Sequence, residues 1–227
     1  MKVITGLSYR ADGSMVWWNQ LPVDPMIQVN RDRYFIKQGI EPRRVVAGGM
    51  AHQTQVVAVG EDQAGHYLVD TDGLVTDVAN LFLSITVADC LPVFFYDPAR
   101  HAIGIAHAGW RGLVGGILEN TVAMLQSTYG TSPADLIIST GPAIGVCHYE
   151  VGPEVAARFA PENIEQRNGH LFAKLVDEAV ARLRAVGVNN STVDPTCTYC
   201  SADRLYSARH DKTEPLEGMV AYIGLSA

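Results

Sequence analysis

The sequence predicts a mixed α/β protein, a single domain over residues 1–227 with mixed sheets. Three observations point there. Short β-branched and aromatic runs recur along the chain, bounded by Gly, Pro or Asp. They are interspersed with stretches of helical spacing, but without strict βαβ alternation. At 227 residues the chain can bury a sizeable core without disulfide staples.

In chain order, the first helical stretch is Pro25–Gln38, the weakest of three. Val45–Gly48 and Gln55–Val59 read as strands, followed by Leu81–Ala88, Val93–Tyr96 and Ala102–Ala106. The last two flank Asp97-Pro98-Ala99-Arg100, a turn signal that predicts a hairpin. Leu113–Tyr129 has Ile117, Thr121, Met124 and Leu125 on one face and reads as a long helix. Leu136–Thr140 is a strand. Leu171–Val186 is a helix whose stripe runs Leu171, Leu175, Val176, Ala179, Leu183 and Val186 and stops at Gly187. Met219–Gly224 closes the chain as a strand.

A formal net charge of −7 argues against duplex nucleic acid or an anionic membrane as the main partner. The N-terminal residues have no apolar leader core, and the longest apolar run, around Leu81–Val87, is broken by Ser84 and Thr86. Four cysteines in a chain of this size are no disulfide framework, so the expectation is a reduced, cytoplasmic protein whose thiols are free to act as ligands or nucleophiles.

The chemistry concentrates at the hairpin. Cys90, in Ala88-Asp89-Cys90-Leu91-Pro92, precedes its first strand, and His107, in His107-Ala108-Gly109-Trp110-Arg111-Gly112, follows its second. His52 lies just ahead of another apolar strand, where an inward-pointing ligand could sit at a sheet end. Two imidazoles and a thiolate make a three-ligand site for zinc or copper with one position open. The competing reading of each residue alone is a small core cysteine or a satisfied polar histidine. Arg111, beside a ligand and near a helix N-terminus, is a candidate binder of phosphate or substrate; otherwise it braces the loop. Arg31 and Arg209 are further candidates, with surface or structural ion pairs as the alternative. Asp89 could orient His107 or serve as a base, but strand alternation points it away from the Cys90 face, which favours a structural role. Cys147, in a Gly-rich turn, either packs or lines a pocket. Cys197-Thr198-Tyr199-Cys200 spells a CxxC motif whose near partner in sequence is His210, an incomplete zinc knuckle. The zinc-deaminase pattern is also incomplete, because no His-x-Glu precedes Pro195-Thr196-Cys197.

Six blocks together resemble one family: Asn30-Arg31, Met50-Ala51-His52-Gln53, Ala88–Pro92, Ala106–Gly112, Gly141–Val151, and Cys197-Thr198 with Ser207-Ala208-Arg209. The chain is similar over nearly its whole length to the YfiH/YlmD-like proteins, also called the laccase-domain or multicopper polyphenol oxidase family. The resemblance implies a layered α/β/β/α architecture for the mixed α/β domain. It implies that His52, Cys90 and His107 bind a metal, usually Zn2+ with Cu2+ as the alternative. It also implies phosphorolysis of adenosine, inosine, guanosine and methylthioadenosine to free base and ribose 1-phosphate; Cys90, His107 and, from its place beside a ligand, Arg111 are then the expected catalytic residues. Adenosine deamination, copper-dependent phenol oxidation and a role in peptidoglycan quality have also been attached to the family. Two departures bear on selectivity: the block at His52 lacks the usual Gln, Val and Gly flanks, and Glu217-Gly218-Met219 replaces a Gly-Arg.

Small-molecule purine nucleosides and phosphate are therefore the expected partners, with no nucleic acid and no membrane, and with a monomer or homodimer both open. A cysteine-dependent amidase, with Cys90 as nucleophile and His107 as base, is the rival enzyme class. Against phenol oxidation, four-electron oxygen reduction needs several coppers and more histidines than the seven here readily supply. A purely structural metal is the non-catalytic reading.

Overall fold

The computed structural model describes residues 1–17 and 24–226. Strands and helices are numbered in chain order. A five-stranded sheet runs β1 (Lys2–Leu7), β14 (Met219–Ser226), β6 (Phe82–Val87), β2 (Val45–Gly48), β4 (Tyr67–Leu68). Its first three strands are antiparallel, whereas β2 lies parallel to both β6 and β4. A six-stranded sheet runs β13 (Asn190–Thr192), β9 (Ile137–Thr140), β7 (Leu91–Asp97), β8 (Ala102–Ala108), β5 (Gly73–Thr76), β3 (Val56–Ala58). Its centre is antiparallel and its two outer pairs are parallel. A small antiparallel sheet of β10 (Glu150–Val151), β12 (His170–Ala173) and β11 (Ile164–Arg167) stands apart.

Side-chain alternation explains how the two large sheets stack. In β6, Leu83, Ile85 and Val87 point inward, as do Met219, Ala221 and Ile223 of β14 and Phe94, Ile103 and Ile105 of the β7–β8 hairpin; together they form the core between the sheets. The opposite face of the five-stranded sheet, with Phe82, Val220 and Tyr222, packs on Tyr34 and Phe35 of α1 (Pro25–Lys37). On the far side, Leu91, Val93 and Phe95 meet Ile117, Leu118, Val122 and Leu125 of α3 (Ile117–Tyr129) and Leu175, Ala179 and Leu183 of α5 (Leu175–Ala185). The order is helix, sheet, sheet, helix, as expected. The remaining helices are short: α2 (Trp110–Gly115), α4 (Pro153–Ala156) and α6 (Ala208–Asp211). Among the described residues no helix is long and apolar enough to cross a membrane.

Two helix boundaries differ from expectation. The stretch predicted as one helix over Leu113–Tyr129 is two, α2 and α3, because Gly116 sits at φ +101° and caps both. Leu171 belongs to β12 rather than to α5, which begins at Leu175. Leu171 continues the helical stripe at i−4 but pairs with Gln166 and Val151. The predicted hairpin is present, and its turn is held by the Asp97 carboxylate, which accepts from the backbone N–H groups of Ala99 (2.8 Å) and Arg100 (3.1 Å).

The connections between the sheets bring further polar residues close to the end of β8. The chain passes from the five-stranded to the six-stranded sheet between β2 and β3, again between β4 and β5, and again between β6 and β7. These crossovers carry His52, Asp72, and Asp89-Cys90 respectively. The first two approach closely enough that a Cβ at Gly48 would lie 2.6 Å from the Thr71 carbonyl oxygen, so no larger residue fits there.

Candidate metal centre

His107 is the next-to-last residue of β8 and pairs across the hairpin with Pro92, two residues beyond Cys90. Alternation puts Ile103, Ile105 and His107 on the face toward the other sheet. The third crossover brings Cys90 to the same place, and the first brings His52. A donor atom from each of the three lies within 4.8 Å of the others. The two imidazoles meet edge to face at 4.9 Å between centroids.

One buried carboxylate organises this centre, and no motif in the sequence marks it. Asp72 is 0% exposed. Its Oδ1 lies 2.7 Å from His107 Nδ1 and accepts the His52 N–H at 3.0 Å; its Oδ2 accepts the N–H groups of Ala51 (3.1 Å) and Gln53 (2.9 Å). It therefore fixes the His107 ring and folds the loop that presents His52, whose own backbone is left-handed at φ +57°. With Nδ1 occupied, Nε2 is the His107 nitrogen left for a metal. The signal for Asp72 is weak: in Asp70-Thr71-Asp72-Gly73 it reads as an ordinary turn residue.

The donor chemistry fits a metal. Burial would push the Cys90 thiol up, but the His107 and His52 rings outweigh it and bring the thiol down to about 6. Burial would lower His107; the Cys90 sulfur and Asp72 override it and raise the imidazole to about 10. Burial opposes ionisation of Asp72 as well, yet His107 and the backbone donors hold it below the usual carboxylate range. Two imidazoles and a thiolate at this spacing suit zinc or copper. Beside them, a Cβ on Gly109 would lie 2.8 Å from the Cys90 Sγ and 3.1 Å from His52 Cδ2, so the glycine leaves the space the donors need.

The centre opens on a cavity of about 320 Å³, near the lower end of the range of about 300–1,000 Å³ usual for small-molecule sites. His52, Cys90, Arg111 and Arg209 line it together with the flat or apolar faces of Trp110, Ile144 and Tyr149. The Arg111 guanidinium lies over the Trp110 ring at 4.5 Å. Arg209 donates to the Glu150 carbonyl oxygen at 2.7 Å and lies 5.3 Å from the centroid of the Tyr149 ring. Burial, first, and then the nearby Cys90 sulfur push the Tyr149 hydroxyl well above its ordinary range, so it stays protonated.

Arg31 is not brought to this cavity. It is 2% exposed, donates to the Met15 carbonyl oxygen (3.0 Å) and Ser84 Oγ (2.9 Å), and stacks on Trp17 at 4.0 Å. Burial drops its guanidinium to about 10. The expectation of an anion contact at Arg31 is therefore corrected: its donors tie α1 to the five-stranded sheet. The helix N-terminus near Arg111 is also a weaker feature than expected, since α2 has only six residues. Asp89 takes the structural alternative. Held at φ +79°, it accepts from Thr198 Oγ1 (2.5 Å) and the Arg209 N–H (2.8 Å) rather than orienting His107.

Comparison with known proteins adds an independent line. The family described as multi-copper polyphenol oxidoreductase laccase matches residues 24–226. "Purine nucleoside phosphorylase YlmD" of Geobacillus stearothermophilus is 36% identical over 163 residues, 67% of this chain and 59% of that protein. "Purine nucleoside phosphorylase" of Bacteroides thetaiotaomicron is 29% identical over 220 residues, 88% of this chain and 82% of that one. The crystal structure of YlmD from Geobacillus stearothermophilus superposes with a TM-score of 0.89 at 28% identity, covering 99% of this chain and 92% of its own.

Proposed function

The chain belongs to the multi-copper polyphenol oxidoreductase laccase family, and from that premise we propose that it is a zinc-dependent purine nucleoside phosphorylase. One observation carries the reading: a three-donor metal centre shares a cavity with two cationic side chains, Arg111 and Arg209, and with the Tyr149 hydroxyl. The names of its relatives, purine nucleoside phosphorylase, support the same reaction class.

In phosphorolysis an oxygen of inorganic phosphate forms a bond to the ribose C1′ while the C1′–N9 bond breaks, and its electron pair leaves with the purine. Arg111 and Arg209 hold the phosphate anion at the cavity mouth and orient it toward the sugar. Trp110, Ile144 and Tyr149 supply flat and apolar surface for the base. Tyr149, protonated at neutral pH, donates to the nitrogen on which negative charge develops. His52, Cys90 and His107 would hold the zinc, with Asp72 keeping the His107 ring in register. Zinc bound there would supply Lewis acidity to the reaction. Adenosine, inosine, guanosine and methylthioadenosine are the proposed substrates, and deamination of adenosine is a proposed side activity of the same cavity.

The decisive assay incubates zinc-loaded protein with inosine or adenosine, with and without phosphate, and measures free base and ribose 1-phosphate. Phosphate-dependent turnover that is lost in Cys90→Ala supports the proposal; none in the zinc-loaded protein overturns it. Ammonia release from adenosine scores the deaminase activity separately.

The low Cys90 thiol and high His107 imidazole favour a second reading, a thiolate–imidazolium pair acting as nucleophile and base. Alkylation separates the two. A stoichiometric metal that shields Cys90 supports the metalloenzyme, and metal-free turnover abolished by alkylation supports the thiol enzyme.

A further inference from the structure

Outside the site just described, a second set of soft donors converges where two loops meet. Cys147 and His148 lie in the turn that leads into β10, and Cys197 and Cys200 begin and end one turn of the later loop. The loops are stitched together by a parallel bridge between Ala143 and Cys197, by the Ala143 N–H on the Thr196 carbonyl oxygen (3.3 Å), and by the Thr198 N–H on the Ala143 carbonyl oxygen (3.0 Å). One donor atom from each of the four residues lies within 4.8 Å of the others. Cys147 Sγ is 3.6 Å from Cys200 Sγ, and Cys200 Sγ is 3.3 Å from His148 Nδ1.

These separations can be compared with what a metal requires. Tetrahedral zinc with Zn–S of about 2.3 Å and Zn–N of about 2.0–2.1 Å places sulfurs about 3.8 Å apart and sulfur and nitrogen about 3.6 Å apart. The observed spacings fall short by a few tenths of an ångström. A disulfide, by contrast, needs its sulfurs at about 2.0 Å. The His148 ring is held with Nδ1 toward the sulfurs by stacking on Tyr199, at 4.0 Å between centroids and 11° between planes. The Gly145 N–H donates to Cys197 Sγ at 3.2 Å, a contact that stabilises thiolate. The partner of the CxxC motif is thus the Cys-His pair fifty residues upstream, not His210, which hydrogen-bonds Asp211 instead.

We propose that Cys147, His148, Cys197 and Cys200 form a second metal site, a closed four-ligand structural zinc centre distinct from His52, Cys90 and His107. Four protein ligands leave no open position, which is the mark of a structural rather than a catalytic site. Its three thiols lose their protons to solvent as zinc binds, and the imidazole binds neutral. The site clamps the back wall of the catalytic cavity. Thr198, between the two cysteines of the motif, donates to the Asp89 carboxylate, and the Ile144 N–H donates to the Asp89 carbonyl oxygen at 2.9 Å. Asp89 precedes Cys90, and Tyr149, which lines the cavity, follows His148. This inference does not depend on which reaction the first site performs.

The test is metal content under reducing conditions, after loading with zinc and removal of the excess. Wild-type protein is expected to retain about two zinc ions per chain. His52→Ala/Cys90→Ser, which vacates the first site, and Cys200→Ser, which opens the second, are each expected to retain about one. Cobalt loaded into His52→Ala/Cys90→Ser should show strong thiolate-to-cobalt charge transfer and tetrahedral ligand-field bands. A His52→Ala/Cys90→Ser protein that holds no metal overturns the proposal, as does wild-type protein that retains one zinc and loses none of it in Cys200→Ser. A Cys147–Cys200 disulfide that persists in the zinc-loaded protein overturns it as well. Since Cys200 is exposed, its serine variant keeps the measurement informative even where the double variant fails to fold.

Discussion

Replacing Asp72 by Asn preserves the shape of the side chain but removes its charge and turns one of its two acceptor atoms into a donor. If the amide nitrogen takes the place of Oδ2, the N–H groups of Ala51 and Gln53 lose their acceptor. If it takes the place of Oδ1, the His52 N–H loses its acceptor, and His107 must change tautomer to remain bonded. The first arrangement loses two hydrogen bonds to a buried carboxylate and the second loses one and forces the other His107 tautomer; at about 1.5–3 kcal/mol each, stability should fall by about 1.5–6 kcal/mol. That is a large share of the roughly 5–15 kcal/mol by which a domain is stable. The proposed zinc centre should suffer as well, because an outer partner of a ligating histidine is typically worth about 10–100-fold in metal affinity. Urea unfolding of the metal-free protein reads the first quantity, and competition against a chromophoric chelator reads the second. An Asp72→Asn protein that unfolds at the wild-type midpoint and binds zinc with wild-type affinity would refute the claim that one carboxylate assembles the centre.

Three further outcomes are expected. Gly109→Ala inserts a methyl 2.8 Å from the Cys90 Sγ and should weaken zinc binding by at least about tenfold, because the donors must separate; its φ of −70° adds no backbone strain, so the circular dichroism spectrum should not change. Arg111→Ala should raise the KM for phosphate by about tenfold or more through loss of a charge-assisted contact, whereas Arg31→Ala should lower the melting temperature and leave that KM alone; the reverse pattern in steady-state kinetics would exchange their roles. Metal affinity at the first site should rise with pH. Below about 6 both Cys90 and His107 hold a proton that zinc must displace, and between about 6 and about 10 Cys90 has lost its proton while His107 keeps one. The apparent affinity should therefore climb by about tenfold per pH unit over the upper window and level off above it; a flat profile between pH 7 and 9 (roughly the middle of that window) contradicts the assignment.

Whether an element or a ligand is legible in the sequence depends on how local its signal is. The hairpin is legible because its strands are dense in β-branched and aromatic residues and its turn carries its own Asp-Pro signal. Strand β5 begins on a glycine directly after the turn-like Asp70-Thr71-Asp72, so its two apolar residues, Leu74 and Val75, read as the end of a loop. The β11–β12 hairpin is hidden by its polar sequence, Ile164-Glu165-Gln166-Arg167, and by Leu171, whose spacing to Leu175 imitates a helix. The candidate ligands are legible because few structural needs place Cys and His at adjoining strand ends. Asp72 is not, since its role exists only once the crossover loops converge and 35 positions separate it from His107. The partners of Cys197 and Cys200 escape for the same reason, because a contact between distant loops has no periodicity to betray it.

The three crossovers that carry His52, Asp72 and Cys90 all run between the same two sheets, so the centre sits on the seam where those sheets are joined. Any sliding of one layer past the other must move the ligands relative to each other. A metal bound there would thus be a strain gauge for the core. A cavity-forming change away from it, such as Leu83→Ala or Ile223→Ala in the layer between the sheets, should register as a shift in metal affinity while the chain is still fully folded. Titrating the metal would then report on interior packing at the seam itself, whereas a melting curve reports on the chain as a whole.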